Sequence, residues 1–106
     1  MLKLVNAVEP NATLNYNKHY IGLKVGGSPM NFVTSMPRRA HVIMTIKLPQ
    51  STDVDTQLEE AGIETLTYEA QWRQYRLRLD STVDEKQREV LLNLVRQARE
   101  GFGKQA

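Results

Sequence analysis

The feature that most constrains this chain is an alternation of side chains from Ala40 to Leu48. One face of this segment carries Ala40, Val42, Met44, Ile46 and Leu48. The opposite face carries His41, Ile43, Thr45 and Lys47. Because strand side chains point alternately to the two faces of a sheet, this pattern is typical of a half-buried antiparallel strand. We therefore expect a sheet with one face packed on a core and the other facing solvent or a partner.

Shorter alternating segments predict further strands at 13–16, 20–25 and 31–36, and after the main strand at 64–69 and 74–80. Gly26-Gly27 predicts a tight hairpin turn, since paired glycines accept a positive φ. Residues 70–73 are expected to form the hairpin loop of the last two strands. The pattern also assigns faces: Phe32, Thr34 and Met36 opposite Val33, and Leu66 buried together with Tyr68.

Three segments are predicted to be helical. Residues 1–8 form a short helix that Pro10 stops, and a second helix begins near Ser51 and ends at Gly62, which suits a left-handed C′ position. The third begins with Thr82-Val-Asp-Glu85 as a capping box. Its broad apolar stripe comprises Val83, Val90, Leu91, Leu94, Val95, Ala98 and Phe102.

The predicted order is α-β-β-β-β-α-β-β-α, which indicates an α+β fold with an antiparallel sheet and helices on one face. A length of 106 residues suits a single domain over 1–106, with 101–106 expected to be a frayed tail. The chain has no cysteine, so disulfides and thiolate chemistry are excluded. We expect no signal peptide, because the first residues carry one positive charge and no long apolar run. No membrane partner is expected, because nothing approaches the ~18 apolar residues of a membrane span. The lack of cysteine fits the cytoplasmic location that we expect.

Motifs for catalysis are not found in the sequence. It contains no phosphate-binding glycine loop, dinucleotide fingerprint or nucleophile elbow. His19 and His41 are far apart and lack metal-ligand spacing, and the acids fall at helix starts and helix backs, where capping or solvation explains them. We therefore expect no metal, no cofactor and no enzymatic activity.

The basic residues are distributed unevenly. Residues 1–51 carry six bases and one acid, a net charge of +5, and the rest carries eight bases and eleven acids, a net charge of −3. If the strands that carry them are neighbours, the outward-pointing bases form a cationic sheet face that suits nucleic-acid phosphates. The candidate residues are Lys18, Lys24, Arg38, Arg39, Lys47, Arg73, Arg76 and Arg78. The alternative is that these bases only solvate an open sheet and discourage edge aggregation.

Several segments resemble a bacterial family of unassigned function, over about residues 5 to 100. They are Tyr16–Leu23, Asn31–Val33, Pro37–Arg39, Leu58–Gly62 and Trp72–Leu79. The resemblance implies a unit that often forms the C-terminal domain of larger proteins, several of them nuclease-like and others labelled as predicted transport proteins. The element order also resembles the YjbR-like "double wing" fold, which implies DNA binding. Tyr16, Lys18, Tyr20, Arg38, Arg76 and Arg78 fit that role or a purely architectural one.

Three functions remain open at the level of sequence. The first is an accessory module that binds nucleic acid non-specifically or targets a nuclease-like protein, and a contiguous cationic patch would favour it. The second is a protein-interaction or dimerisation domain using the open sheet face and Trp72, favoured by an exposed apolar patch near Ile43 and Val33. The third is a small-molecule-binding or hydrolytic protein, favoured by a deep pocket holding acids or His41.

Overall fold

The computed structural model describes residues 2–80 and 82–102. The elements are α1 (Leu2–Asn6), β1 (Ala12–Tyr16), β2 (Ile21–Val25), β3 (Ser28–Pro29), β4 (Val33–Pro37), β5 (Val42–Ile46), α2 (Thr52–Glu60), β6 (Glu64–Thr65), β7 (Tyr75–Leu79) and α3 (Glu85–Gly101). This is the predicted α+β order with one addition. The two-residue strand β3 returns from the Gly26-Gly27 turn and pairs with β2.

The strands form one antiparallel sheet in the order β1-β2-β4-β5-β7-β6, with β3 beside β2. Strand β5 lies between β4 and β7, with Thr34 opposite Thr45 and Thr45 opposite Arg76. Met44, Ile46 and Leu48 join the core, whereas Ile43 and Thr45 point to the opposite face. The alternation in this segment therefore identified the residues that join the core. The strand is not half-buried as predicted, because Ile43 and Thr45 are only 5% and 8% exposed, and Ala40 is exposed before the strand begins.

All three helices contribute to the same core, so they lie on one face of the sheet. Val5 of α1, Leu58 of α2 and Leu91 of α3 are buried with strand residues such as Leu23 and Leu77. The structure confirms the predicted helix-on-sheet arrangement. Since all three helices pack on the core face, no helix covers the opposite face in the described part of the chain.

The segment before β4 departs from the predicted alternation. Phe32 and Val33 are both fully buried, although adjacent strand residues point to opposite faces. The amide of Phe32 donates to the carbonyl of Met30 (3.1 Å), and this tight turn rotates Phe32 into the core beside Phe102, with ring centroids 6.1 Å apart. The assignment of Phe32 to the face of Thr34 and Met36 was therefore wrong.

Other predicted boundaries, in β6 and at both ends of α3, differ from the observed ones. Strand β6 is shorter than predicted, and Leu66 stays outside the core that Tyr68 packs against. The N-cap of α3 is Asp84, which forms a capping box with Gln87, so the predicted box starting at Thr82 was wrong. Phe102 packs on Phe32 and is not part of a frayed tail; residues 103–106 lie outside the described residues.

Candidate nucleic-acid interface

The face of the sheet that carries no helix, here called the open face, is polar at its centre. It is formed by Tyr20, Lys24, Thr34, Met36, Ile43, Thr45, Lys47, Arg76 and Arg78. Thr34, Thr45 and Arg76 form one row across β4, β5 and β7. Ile43 is only 5% exposed and Val33 is fully buried, so the apolar patch that would have favoured a protein partner is not exposed.

A shallow depression of about 420 Å³ occupies this face. It is lined by Tyr20, Asn31, Thr34, Met36, Thr45, Lys47, Glu69, Gln74 and Arg76. The lining combines a tyrosine that is 36% exposed with two cations, one acid, two amides, two threonine hydroxyls and one methionine. Cations and amides suit phosphate oxygens, and an exposed ring suits stacking on a base.

Arg76 and Arg78 project from the same face of β7, as the alternation predicted, but each lies beside an acid. Nε of Arg76 is 3.6 Å from Oε1 of Glu69, and Nε of Arg78 is 3.6 Å from Oε2 of Glu64. The four side chains are between 31% and 60% exposed, so water screens both pairs and each contributes little to stability. The pairs nonetheless lower the positive potential of the open face.

The other predicted bases fall at two opposite ends of the sheet. Lys18 lies in the β1–β2 turn, and Arg38 and Arg39 lie in the β4–β5 turn, all exposed at the end where β4 finishes. Lys24 and the β6–β7 loop residue Arg73 lie towards the other end, and Arg73 adopts a left-handed φ of 51°. Of the eight candidates, only Lys47 and Arg76 share the depression.

Asn31 is a member of the depression that sequence analysis missed. Its Oδ1 accepts a 2.8 Å hydrogen bond from the amide of Leu23, so the side chain replaces a backbone partner between β2 and the segment before β4. Gly22 makes this approach possible, because a Cβ atom there would collide with the Asn31 carboxamide. A glycine inside an alternating strand was the available signal of a close approach.

The histidines do not enter this site. His19 is exposed in the β1–β2 turn, and His41 is half-buried in the β4–β5 turn, where its carbonyl accepts from the amide of Arg38 (2.8 Å). Within residues 2–80 and 82–102, no three acidic or histidine side chains cluster as metal ligands would. None of the helices in those ranges is long and apolar enough to span a bilayer.

No protein-family model, curated protein or solved structure matches this chain. The family resemblance and the double-wing label therefore stay predictions, and the candidate site rests on its geometry.

Proposed function

We propose that this chain is a non-catalytic accessory module that holds single-stranded nucleic acid on the open face of its sheet. The observation that carries the proposal is the depression, which brings the Tyr20 ring together with Lys47 and Arg76 on a surface that no described helix covers. The lysine and arginine bind phosphates, and the ring stacks on a base.

The shape of the open face favours an unpaired strand over a duplex. Reading a duplex requires a helix or ribbon that protrudes into a groove, whereas the residues of this face lie within a sheet. A shallow depression beside an exposed ring accepts a base that has left its stack. Recognition of this kind depends on charge and stacking, so it tolerates many sequences.

Glu69 tunes the strength of this binding. Its carboxylate lies beside Arg76 and also accepts a 2.6 Å hydrogen bond from Nε2 of Gln74. A phosphate oxygen takes the place of this carboxylate when a strand binds, since both are acceptors for a guanidinium. Breaking the Glu69–Arg76 pair offsets part of the free energy gained from the phosphate contact. We therefore expect weak, salt-dependent binding with Kd on the order of 10⁻⁴–10⁻⁶ M.

The test is a fluorescence anisotropy titration of labelled single strands and duplexes of DNA and RNA at low salt. We expect single strands to bind more tightly than duplexes, and the double variant Lys47→Gln with Arg76→Gln to weaken binding several-fold. The matched control is Arg96→Gln with Lys86→Gln, which removes two exposed cations from α3. Failure of the wild type to bind any single strand refutes the proposal, and equal loss in both double variants refutes the assigned site.

A second candidate is a protein-interaction module, and the observation that favours it is Trp72. This side chain is 57% exposed at the tip of the loop between β6 and β7. Exposed tryptophans are enriched among residues that dominate protein interfaces. The candidate gains support if the chain self-associates in sedimentation experiments and Trp72→Ala abolishes the association.

A further inference from the structure

A groove on the helical side of the sheet has no role in the proposed nucleic-acid interface. It encloses about 420 Å³ and lies where α1 and α3 leave part of the inner sheet face uncovered. Strand residues form its floor, and helix residues with the segment before α3 form its rim. The lining residues are Lys3, Leu4, Ser35, Val42, Met44, Leu79, Asp80, Val83, Arg88 and Leu91.

Ser35 is the unusual member of this floor. It lies on β4 opposite Met44, on the core side of the sheet, and is only 7% exposed. None of the side-chain hydrogen bonds among the described residues involves the Ser35 hydroxyl, and no fully enclosed side-chain oxygen in that part of the chain lacks a partner. The hydroxyl oxygen is therefore open to the groove, where water or a bound ligand can be its hydrogen-bond partner.

The rim carries a net positive charge. Lys3 of α1 and Arg88 of α3 are exposed there, together with one acid, Asp80. None of these three side chains takes part in an ion pair among the described residues, whose pairs are Arg76–Glu69, Arg78–Glu64 and Arg99–Glu9. Among the lining residues two cations stand against one acid, although Arg88 also lines a neighbouring depression with Glu85 and Glu89. The attraction of the mouth for an anion is therefore modest, and Lys3 and Arg88 together supply it.

We propose that this groove binds a small amphipathic carboxylate that carries a hydroxyl or carbonyl oxygen at the far end of its apolar body. The carboxylate lies between Lys3 and Arg88, the body covers Val42, Leu79 and Leu91, and the distal oxygen bonds the Ser35 hydroxyl. The volume of the groove falls in the range of small-molecule pockets, which join an apolar lining to a few fixed polar groups.

Three matched probes separate the parts of this proposal: 4-phenylbutyrate, 4-(4-hydroxyphenyl)butyrate and the uncharged 4-phenylbutanamide. We expect the hydroxylated acid to bind best and the amide least, in titrations followed by backbone amide chemical shifts in NMR spectra. The shifts should centre on Ser35, Val42, Leu79 and Leu91. Equal affinity of amide and acid, shifts centred elsewhere, or no binding at millimolar concentration overturns the proposal.

Substitutions at the groove test the individual residues. Arg88→Gln should weaken both acids several-fold, whereas Arg96→Gln, which lies elsewhere on α3, should not. Ser35→Ala should remove the preference for the hydroxylated acid, a factor of about two to ten. It should leave the thermal midpoint unchanged, because the hydroxyl has no protein partner to lose. A preserved preference in Ser35→Ala shows that the ligand oxygen does not bond this hydroxyl. A lowered midpoint shows that the hydroxyl has a structural role. Either result overturns the assignment of Ser35.

Two further measurements test the location of the site and whether a second copy of the chain occupies it. The variant Lys47→Gln with Arg76→Gln should bind the acids normally, because both residues lie on the other face of the sheet; loss of binding in this variant overturns the groove as the site. Sedimentation should give a monomer at the concentrations of the titration. A dimer that Val83→Glu dissociates would show that a second copy fills the groove, and this result also refutes the proposal.

Discussion

The hydroxyl of Tyr75 donates a 2.8 Å hydrogen bond to Oδ1 of Asp55, joining β7 to the first turn of α2. The Tyr75 hydroxyl oxygen also accepts a 2.9 Å hydrogen bond from the amide of Ser51, which is the N-cap of that helix. Tyr75 is 4% exposed, and its burial, together with the Asp55 carboxylate, raises the pKa of the phenol to about 12. One buried side chain therefore fixes where α2 begins relative to the sheet.

Tyr75→Phe should lower the free energy of unfolding by about 1–2 kcal/mol, because the Ser51 amide and Asp55 lose their partner in a part-buried site. Urea denaturation followed by circular dichroism measures the change. Tyr16→Phe is the matched control, since Tyr16 is exposed and should tolerate the same substitution unchanged. Equal losses in the two variants would contradict the role of the Tyr75 hydroxyl.

The same residue should make the protein sensitive to alkaline pH. The pKa of Tyr75 rises from 10.0 to about 12 on folding, so the folded chain holds this proton more tightly than the unfolded chain. The stabilisation is fully present below pH 10 and is lost as pH rises through about 12. Between these values the stability of the wild type should fall more steeply than that of Tyr75→Phe, as urea melts at successive pH values would measure. Parallel curves would refute this.

Gly22 and Asn31 should be energetically coupled. Gly22→Ala forces the Asn31 carboxamide away from the amide of Leu23, and Asn31→Ala leaves that amide without its partner, so each change should cost about 1–3 kcal/mol. Because both variants break the same hydrogen bond, the double variant should cost less than the sum of the two. Additive losses in a double-mutant cycle would show that the contact contributes nothing.

The final helix should contribute strongly to stability through its buried stripe. Leu91 and Leu94 are each 1% exposed in the core, so Leu91→Ala or Leu94→Ala should cost about 2–5 kcal/mol in urea melts. The control is Leu92→Ala, at a half-buried position on the same helix. It should lower the free energy of unfolding distinctly less. Losses below ~1 kcal/mol for both core positions would contradict the observed packing.

Glu69→Gln should strengthen the binding of single-stranded nucleic acid, because it frees Arg76 in the depression from its acidic partner. Glu64→Gln is the matched control: it frees Arg78, which lies outside the depression, and should have a smaller effect. Anisotropy titrations at two salt concentrations measure both affinities. Equal gains in the two variants would show that overall charge, and not the depression, controls binding.

The local sequence determined much of the fold. The alternation in β5 identified the core-facing residues Met44, Ile46 and Leu48, and the spacing of apolar residues in α3 identified Leu91 and Leu94. These patterns are informative because the period of a strand or helix decides by itself which side chains share a face. The start of α2 at Ser51 and its end before Gly62, at a φ of 72°, follow from equally local requirements.

Tertiary structure decided what the bases and polar groups do. The alternation placed Arg76 and Arg78 on one face, but their pairing with Glu69 and Glu64 depends on the register between β7 and the segment that begins at β6. The separation of the other predicted bases to two ends of the sheet follows from strand order, which no local period encodes.

The turn at Phe32 shows most directly why local sequence does not predict every buried residue. Its rotation into the core depends on Phe102, seventy residues away in sequence, and on the Asn31 side chain reaching over Gly22. The opening of the Ser35 hydroxyl to the groove likewise becomes apparent only where α1 and α3 leave the sheet uncovered. A sequence specifies which residues a segment can bury, whereas the contacts between distant segments decide which of them actually meet.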